Sequence, residues 1–311
     1  MKRYLQRVVV VCLIIINLSF VALAAGGKAK IAPENYIPIL MYHHFVTEKV
    51  EPGNGVIVPI DELEEQIKTL QQEGYTFLFL SEFYKIMQQV PKNTKLHLKK
   101  YVVITIDDGY KSNYELVYPI LQKYNVKANI SVVTSSIGTI PLPGDIARMS
   151  WENLNEMQQS GLVEIYNHTN DHTPVGNRSY QEVASSVDKG EKMLNQFLQK
   201  RSPVKVLTYP NGNYRKEIAS WMQAEKGYQL QLTTNIAVVN GKTSLCEIPR
   251  ITVDSGWTGQ KLLQKIEYTA KKTFQNPFLK LFAAHRLRVT AVIGLMMLSL
   301  LFMIPNITKY K

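Results

Sequence analysis

Apolar residues at positions 60, 63, 67 and 70 recur with helical spacing and predict a helix from Ile60 that Gly74 ends. Elsewhere the pattern is of short apolar runs bounded by polar and glycine-containing turns. Pro38–Met41, Tyr101–Ile106 (YVVITI), Ala128–Val133, Leu162–Tyr166, Val206–Tyr209, Leu230–Thr233 and Ile248–Thr252 read as strands buried on both faces. Between them, Asn113–Tyr124, Trp151–Ser160, Tyr180–Gln199 and Lys216–Lys226 read as helices, two of them stopped by Gly161 and Gly227. Residues 91–100 are polar and basic and read as a loop. Strand and helix alternate, which predicts an α/β fold with a parallel sheet or barrel. In such folds, polar residues at the carboxyl ends of strands line the site. Asp107 and Asp108, His168, and Pro210 fall at three such ends.

Both ends of the chain have a different texture. Lys2, Arg3 and Arg7 precede an almost wholly apolar run, Val8–Leu23, and Ala22-Leu23-Ala24 offers an A-x-A cleavage site. Residues 1–24 are therefore expected to be a signal peptide or N-terminal anchor, and 25–35 a linker. The folded domain is expected over 36–270, followed by a basic linker at 271–288. Val289–Ile304 is apolar apart from Thr290 and Ser299, with Arg286 and Arg288 before it and Lys309 and Lys311 in the tail, 305–311. As a helix this run would span about 24 Å, short of a hydrocarbon core of roughly 30 Å, but flanking Arg and Lys can snorkel. It is expected to be a transmembrane segment. The domain would then sit outside the cytoplasm, attached to the membrane as part of the cell envelope.

The length of 311 residues suits one large α/β domain or two small ones, and a hydrophobic content of 45% supports a substantial core. Net charge is +11. Such a surplus favours anionic surroundings such as a membrane surface or wall polymer. Without a helix-turn-helix, zinc-finger or aromatic–basic signature, nucleic acid is not an expected partner. Of the 2 cysteines, Cys12 lies in the N-terminal run, so Cys246 has no disulfide partner in the rest of the chain.

Chemistry concentrates at three places. In Asp107-Asp108-Gly109-Tyr110 a glycine after the strand lets the chain curl, so that both carboxylates can face the mouth. One can bind a cation while its neighbour handles a proton. His168 and His172 are 2 of only 6 histidines and can converge on one metal. With one carboxylate they make a His, His, Asp set that leaves a coordination position open for water. The turn Tyr209-Pro210-Asn211-Gly212-Asn213-Tyr214 offers two aromatic rings for stacking on sugars.

In this order the pieces resemble the polysaccharide deacetylase family (carbohydrate esterase family four, the NodB-homology domain). The likeness spans about residues 36–255. It runs from Pro38-Ile39-Leu40-Met41-Tyr42-His43-His44 through Gly74-Tyr75 and Thr105-Ile106-Asp107-Asp108-Gly109-Tyr110. Tyr118-Pro119-Ile120-Leu121, Ser150-Trp151, His168-Thr169 with His172, and Ile248-Pro249-Arg250-Ile251 continue it. The Tyr-His opening and the Tyr209-Pro210 turn look most like the poly-N-acetylglucosamine deacetylases. The resemblance implies a distorted (β/α) barrel and hydrolysis of N-acetyl groups on an exported N-acetylhexosamine polysaccharide. It implies a divalent metal, zinc foremost, on Asp108, His168 and His172, with Asp107 as general base. Tyr209, Pro210, Tyr214 and Arg250 are then the expected substrate contacts. Two family features are missing: Thr208 stands where an arginine usually precedes the Tyr-Pro turn, and the late Leu-His that supplies a general acid is absent. His43 and His44 remain as acids. A peptidoglycan or other amide deacetylase, or an inactive sugar-binding module, are the alternative readings.

Overall fold

Seven segments form one parallel sheet because their residues are buried on both faces, and a parallel sheet is stable only when both faces are covered. The computed structural model describes residues 35–89, 99–139, 142 and 144–275. The expected N-terminal apolar segment, most of its linker, most of the 91–100 loop and everything after 275 lie outside those residues. Among the described residues no helix is long and apolar enough to cross a membrane.

The strands of the sheet are β1 (Ile39–Tyr42), β5 (Tyr101–Asp108), β6 (Ala128–Val132), β7 (Val163–Asn167), β8 (Val206–Thr208), β9 (Leu230–Leu232) and β10 (Ile251–Thr252), in the order β10-β1-β5-β6-β7-β8-β9. The two-residue strand β4 (Thr76–Phe77) also pairs with β5. Ile248 bridges Leu232 of β9 in parallel, and Ile251–Thr252 pairs with β1. One short segment thus joins the two edges of the sheet and closes a distorted (β/α) barrel. The expected strand Ile248–Thr252 shrinks to two residues because Pro249, having no N–H, cannot donate to a ladder.

Helices cover the outside. Helix α1 (Ile60–Gln72) buries Leu63, Ile67 and Leu70, and Gly74 leaves it at φ 78°. Two helices begin with reciprocal capping boxes: Ser150 with Asn153 on α4 (Trp151–Gln159), and Ser179 with Glu182 on α5 (Tyr180–Phe197). Helix α6 is Lys216–Ala224. The expected helix Asn113–Tyr124 is instead a π turn, Asn113–Val117, running into α3, Tyr118–Tyr124. Pro119 supplies the reason: it lacks the N–H for the Glu115 carbonyl and its ring crowds that carbonyl, which a wider turn relieves.

Several elements had no predicted counterpart. Helix α2 (Leu80–Gln89) starts with the Glu82 carboxylate accepting the Phe79 amide at 2.9 Å. Strands β2 (His44–Val46) and β3 (Ile57–Pro59) pair in parallel apart from the barrel. Helix α7 (Gly259–Phe274) is capped by Thr258 and packs on α1. It continues four residues past the expected domain boundary at 270, and Phe274 lies 6.4 Å from the Tyr36 ring, ring centre to ring centre.

Candidate active site

The alternation of β5 decides what enters the barrel. Val102, Ile104 and Ile106 join the core under the helices, so Val103, Thr105 and Asp107 point inward. Asp107 is 2% exposed, and both its oxygens accept from Arg250, at 2.9 and 2.7 Å. Arg250 also donates to the Thr233 carbonyl (2.9 Å) and the Thr105 hydroxyl (3.2 Å), so its guanidinium is fully engaged. Burial alone would raise the Asp107 carboxyl, but Arg250 and then His168 outweigh it and hold the group below the usual carboxylate range.

Simple alternation would send the Asp108 side chain outward. It faces the mouth because Asp108 itself adopts φ 74°, followed by Gly109 at φ 72°. Thr169 (φ 66°) and His172 (φ 54°) of the facing histidine loop are also left-handed, so backbone strain is stored on both sides of the cluster. Asn167, buried at the end of β7, holds the histidine loop. Its Oδ1 accepts the Thr169 amide at 2.8 Å, and its Nδ2 donates to the Val187 carbonyl at 3.0 Å. The Thr169 hydroxyl in turn accepts the His172 amide at 3.1 Å.

His168 Nδ1 lies 2.8 Å from the Thr208 carbonyl, which can only accept, so Nδ1 carries the proton and Nε2 faces Asp108. His168 Nε2 and His172 Nε2 are each 3.3 Å from Asp108 Oδ1. All three candidate ligand atoms lie within 4.8 Å of one another. Asp108 Oδ1 is buried without a hydrogen-bond partner. Two imidazole nitrogens aimed at one orphaned carboxylate oxygen need positive charge between them, and the His, His, Asp donors suit a divalent metal ion. Burial disfavours the His168 imidazolium, but Asp108 and Asp107 more than offset it and raise its proton affinity. Burial, then the neighbouring His168, lowers that of His172.

The two opening histidines part company, as neighbours on an extended chain must. His43 Nε2 is 4.0 Å from Asp107 Oδ2, and its Nδ1 is buried without a partner. Burial is the main cause of its lowered proton affinity. His44 turns away: Nδ1 is 2.8 Å from the Ser112 hydroxyl, and the ring lies 5.1 Å from the Tyr110 ring.

A profile of the family described as polysaccharide deacetylase matches residues 94–230. A Bacillus subtilis protein, YxkH, itself named only provisionally as a polysaccharide deacetylase, is 32% identical over 232 residues, 74% of this chain and 76% of its own. The chain belongs to the polysaccharide deacetylase family. It is also similar to the poly-beta-1,6-N-acetyl-D-glucosamine N-deacetylase of Staphylococcus epidermidis, at 30% identity over 62% of this chain and 67% of that one. Among solved structures it is similar to the Streptococcus pyogenes deacetylase PplD, determined with acetate: 27% identity, TM-score 0.64, covering 74% of this chain and 98% of that one. IcaB from Ammonifex degensii shares the fold, with TM-score 0.62 at 21% identity over 75% of this chain and 97% of that one.

In this polysaccharide deacetylase, a hydrolase acting on carbon–nitrogen bonds other than peptide bonds, three of the four expected substrate contacts are buried. Arg250 is 1% exposed and donates to Asp107, Thr105 and the Thr233 carbonyl, so the structure gives it the role of holding Asp107. Tyr209 is fully buried, its hydroxyl donating to Gln231 and its ring stacked on Tyr214 at 5.1 Å. Tyr209 follows inward-facing Thr208 and so packs outside the barrel, beneath α6. Pro210 is buried as well. Tyr214 keeps a partly exposed ring, with its hydroxyl donating to Glu247 at 2.8 Å. The Arg250–Asp107 pair and the Thr208 carbonyl were not foreseen, since no spacing links residues so far apart in the chain.

Proposed function

We propose that this deacetylase is a metal-dependent enzyme that removes N-acetyl groups from an exported, poly-N-acetylglucosamine-like polysaccharide. The observation that carries the proposal is the convergence of Asp108, His168 and His172 beside a buried carboxylate, Asp107, held in place by Arg250. The naming of the staphylococcal relative supports the choice of polymer. Asp108, His168 and His172 would hold the ion, which we take to be zinc. Once bound, such an ion polarises an amide carbonyl and makes a water molecule more acidic.

The chain's own residues supply the rest. Asp107 is ionised and oriented, and it takes the proton from the attacking water. His43, whose Nε2 stands 4.0 Å from Asp107 Oδ2, is the general acid: in its protonated form it donates a proton to the departing amine. Its burial favours the neutral ring, so a protonated His43 gives its proton up readily. His44, tied to Ser112, serves the wall of the site and not proton transfer. Tyr214 presents the partly exposed aromatic surface to the sugar.

Purified chain offered N-acetylated polymers should release acetate, should stop when a chelator has stripped the metal, and should recover when zinc is restored. Undiminished release after complete metal removal would refute the metal-dependent mechanism.

We further propose that the domain works outside the cytoplasmic membrane, attached through the Val8–Leu23 and Val289–Ile304 runs. The basic-then-apolar leader and the site of an exported substrate support this reading. Protease added to spheroplasts should cut the domain, and carbonate washing should not release it. A protected domain would overturn export, and release by carbonate would remove the anchor.

A further inference from the structure

A glycine in the interior of a helix weakens it relative to alanine. Gly190 nevertheless sits inside α5, on the buried face. The packing shows what its bare backbone makes room for. A Cβ at 190 would lie 2.7 Å from Asn167 Oδ1, 3.2 Å from Nδ2 and 3.3 Å from Cγ, the nearest atoms outside the helix. The notch in α5 thus receives the side chain of one residue, the last of β7, which leads straight into His168.

Asn167 is 1% exposed and has only one way to sit in that notch. Its Nδ2 donates to the Val187 carbonyl at 3.0 Å and lies 3.4 Å from Glu191 Oε2, both on α5. A carbonyl and a carboxylate can only accept, so the amide nitrogen must take that side and Oδ1 the other. The Tyr228 hydroxyl, 3.0 Å from Nδ2, donates onward to Glu191 Oε2 at 3.2 Å. Arg201 holds the second oxygen of Glu191 at 2.7 Å. Aspartate at 167 would keep the acceptor but would set a carboxylate against a carbonyl and another carboxylate.

Oδ1 is thereby aimed at the Thr169 amide, 2.8 Å away. Thr169 is β-branched and left-handed at φ 66°, a strained combination that this bond helps to hold. The Thr169 hydroxyl then accepts the His172 amide at 3.1 Å. The placing of His172 can therefore be followed back through Thr169 and Asn167 to the absence of a methyl group on α5.

We propose that Asn167 is a positioning residue for the metal centre, and that the Gly190 notch lets α5 set metal affinity through it. This rests on the metal-dependent reading of Asp108, His168 and His172 and deepens it. Neither Asn167 nor Gly190 is a ligand of the ion; both act through the loop that carries the ligands.

Zinc affinity of the purified full chain, measured by competition with a chromophoric chelator, tests this without reference to turnover. Gly190→Ala should weaken zinc binding by about 10- to 100-fold, the range for residues that only orient a ligand, although alanine is the better helix former. Asn167→Ala should weaken it to a similar extent, and Asn167→Asp should not restore it. Adding Gly190→Ala to Asn167→Ala should cost no more than about twofold further, because the group that the new methyl strikes is gone. Hydrogen exchange on the metal-free chain gives a second readout: the Thr169 and His172 amides should exchange about tenfold faster in both single variants, with the rest of β7 unchanged. A merely structural loss would speed exchange throughout and would add in the double variant. Parent-like zinc affinity in Gly190→Ala, or full additivity in the double variant, would overturn the proposal. If Gly190→Ala does not fold, Asn167→Ala decides, and parent-like zinc affinity there overturns it as well. A parent chain that binds no zinc but shows the local exchange pattern would uphold the positioning role and reject the metal reading alone; without that pattern both fall.

Discussion

Asp107→Asn should lower acetate release by about 10²- to 10⁴-fold and leave the metal content of the folded protein unchanged, whereas Asp108→Asn should lose activity and metal together. Asp107 faces into the barrel, where Arg250 occupies both its oxygens, and the candidate ligand atoms cluster around Asp108 instead. An amide at 107 keeps the shape of the side chain but has almost no affinity for the proton that hydrolysis sets free. At 108 the same change removes the negative charge from between the two imidazole nitrogens that lie 3.3 Å from it. Metal affinity should fall by more than about tenfold, since even residues that only orient a ligand are worth that much. Elemental analysis and acetate assays on the same preparations decide the matter. Equal metal loss in both variants would erase the division of roles between the two carboxylates.

Arg250→Met should destabilise the fold by about 3–5 kcal/mol, the range found when one partner of a buried ion pair is removed and the other stays charged. Both partners are almost fully enclosed, with side chains 0% and 3% exposed. Without the guanidinium, Asp107 would have to remain charged in the barrel or take up a proton, and either outcome abolishes its use as a base. Arg250→Lys should fall between, because an ammonium keeps the charge but cannot make two parallel bonds to one carboxylate. The double variant Asp107→Asn/Arg250→Met should regain much of the stability lost in Arg250→Met and none of the activity. Urea unfolding of the four proteins closes the cycle. A loss below about 1 kcal/mol for Arg250→Met, or a double variant as unstable as the single, would show that the pair does not work as a unit.

The strands were legible because each is a short, unbroken apolar run, the signature of a sheet covered on both faces. Helix starts at Ser150 and Ser179 were legible for a local reason too, since a capping box closes within four residues. Leu80–Gln89 escaped because its cap is a single Glu82 side chain reaching the Phe79 amide, a signal easily lost beside the Leu78–Phe79 run. Gly259–Phe274 escaped because its amphipathic stripe has meaning only against Ile60–Gln72, far away in the chain.

By itself, the sequence determined which residues can do chemistry. Two carboxylates at a strand end and two histidines at another are properties of short stretches, and short-range geometry dictates where strand ends lie. Only the tertiary structure decided what each of those residues faces. Alternation along β5 turns Asp107 inward, but the partner waiting there, Arg250, comes from the segment that closes the barrel. A left-handed Asp108 overrides that same alternation and brings its carboxylate to the histidines. His43 and His44 are equivalent as sequence, and only the packing of β2 against Ser112 and Tyr110 separates them. Tyr209 looks like a sugar platform until the barrel places its ring on the helix side of the wall. Spacing along a chain records what neighbours can share, whereas pairing across a closed barrel depends on which distant strand arrives opposite.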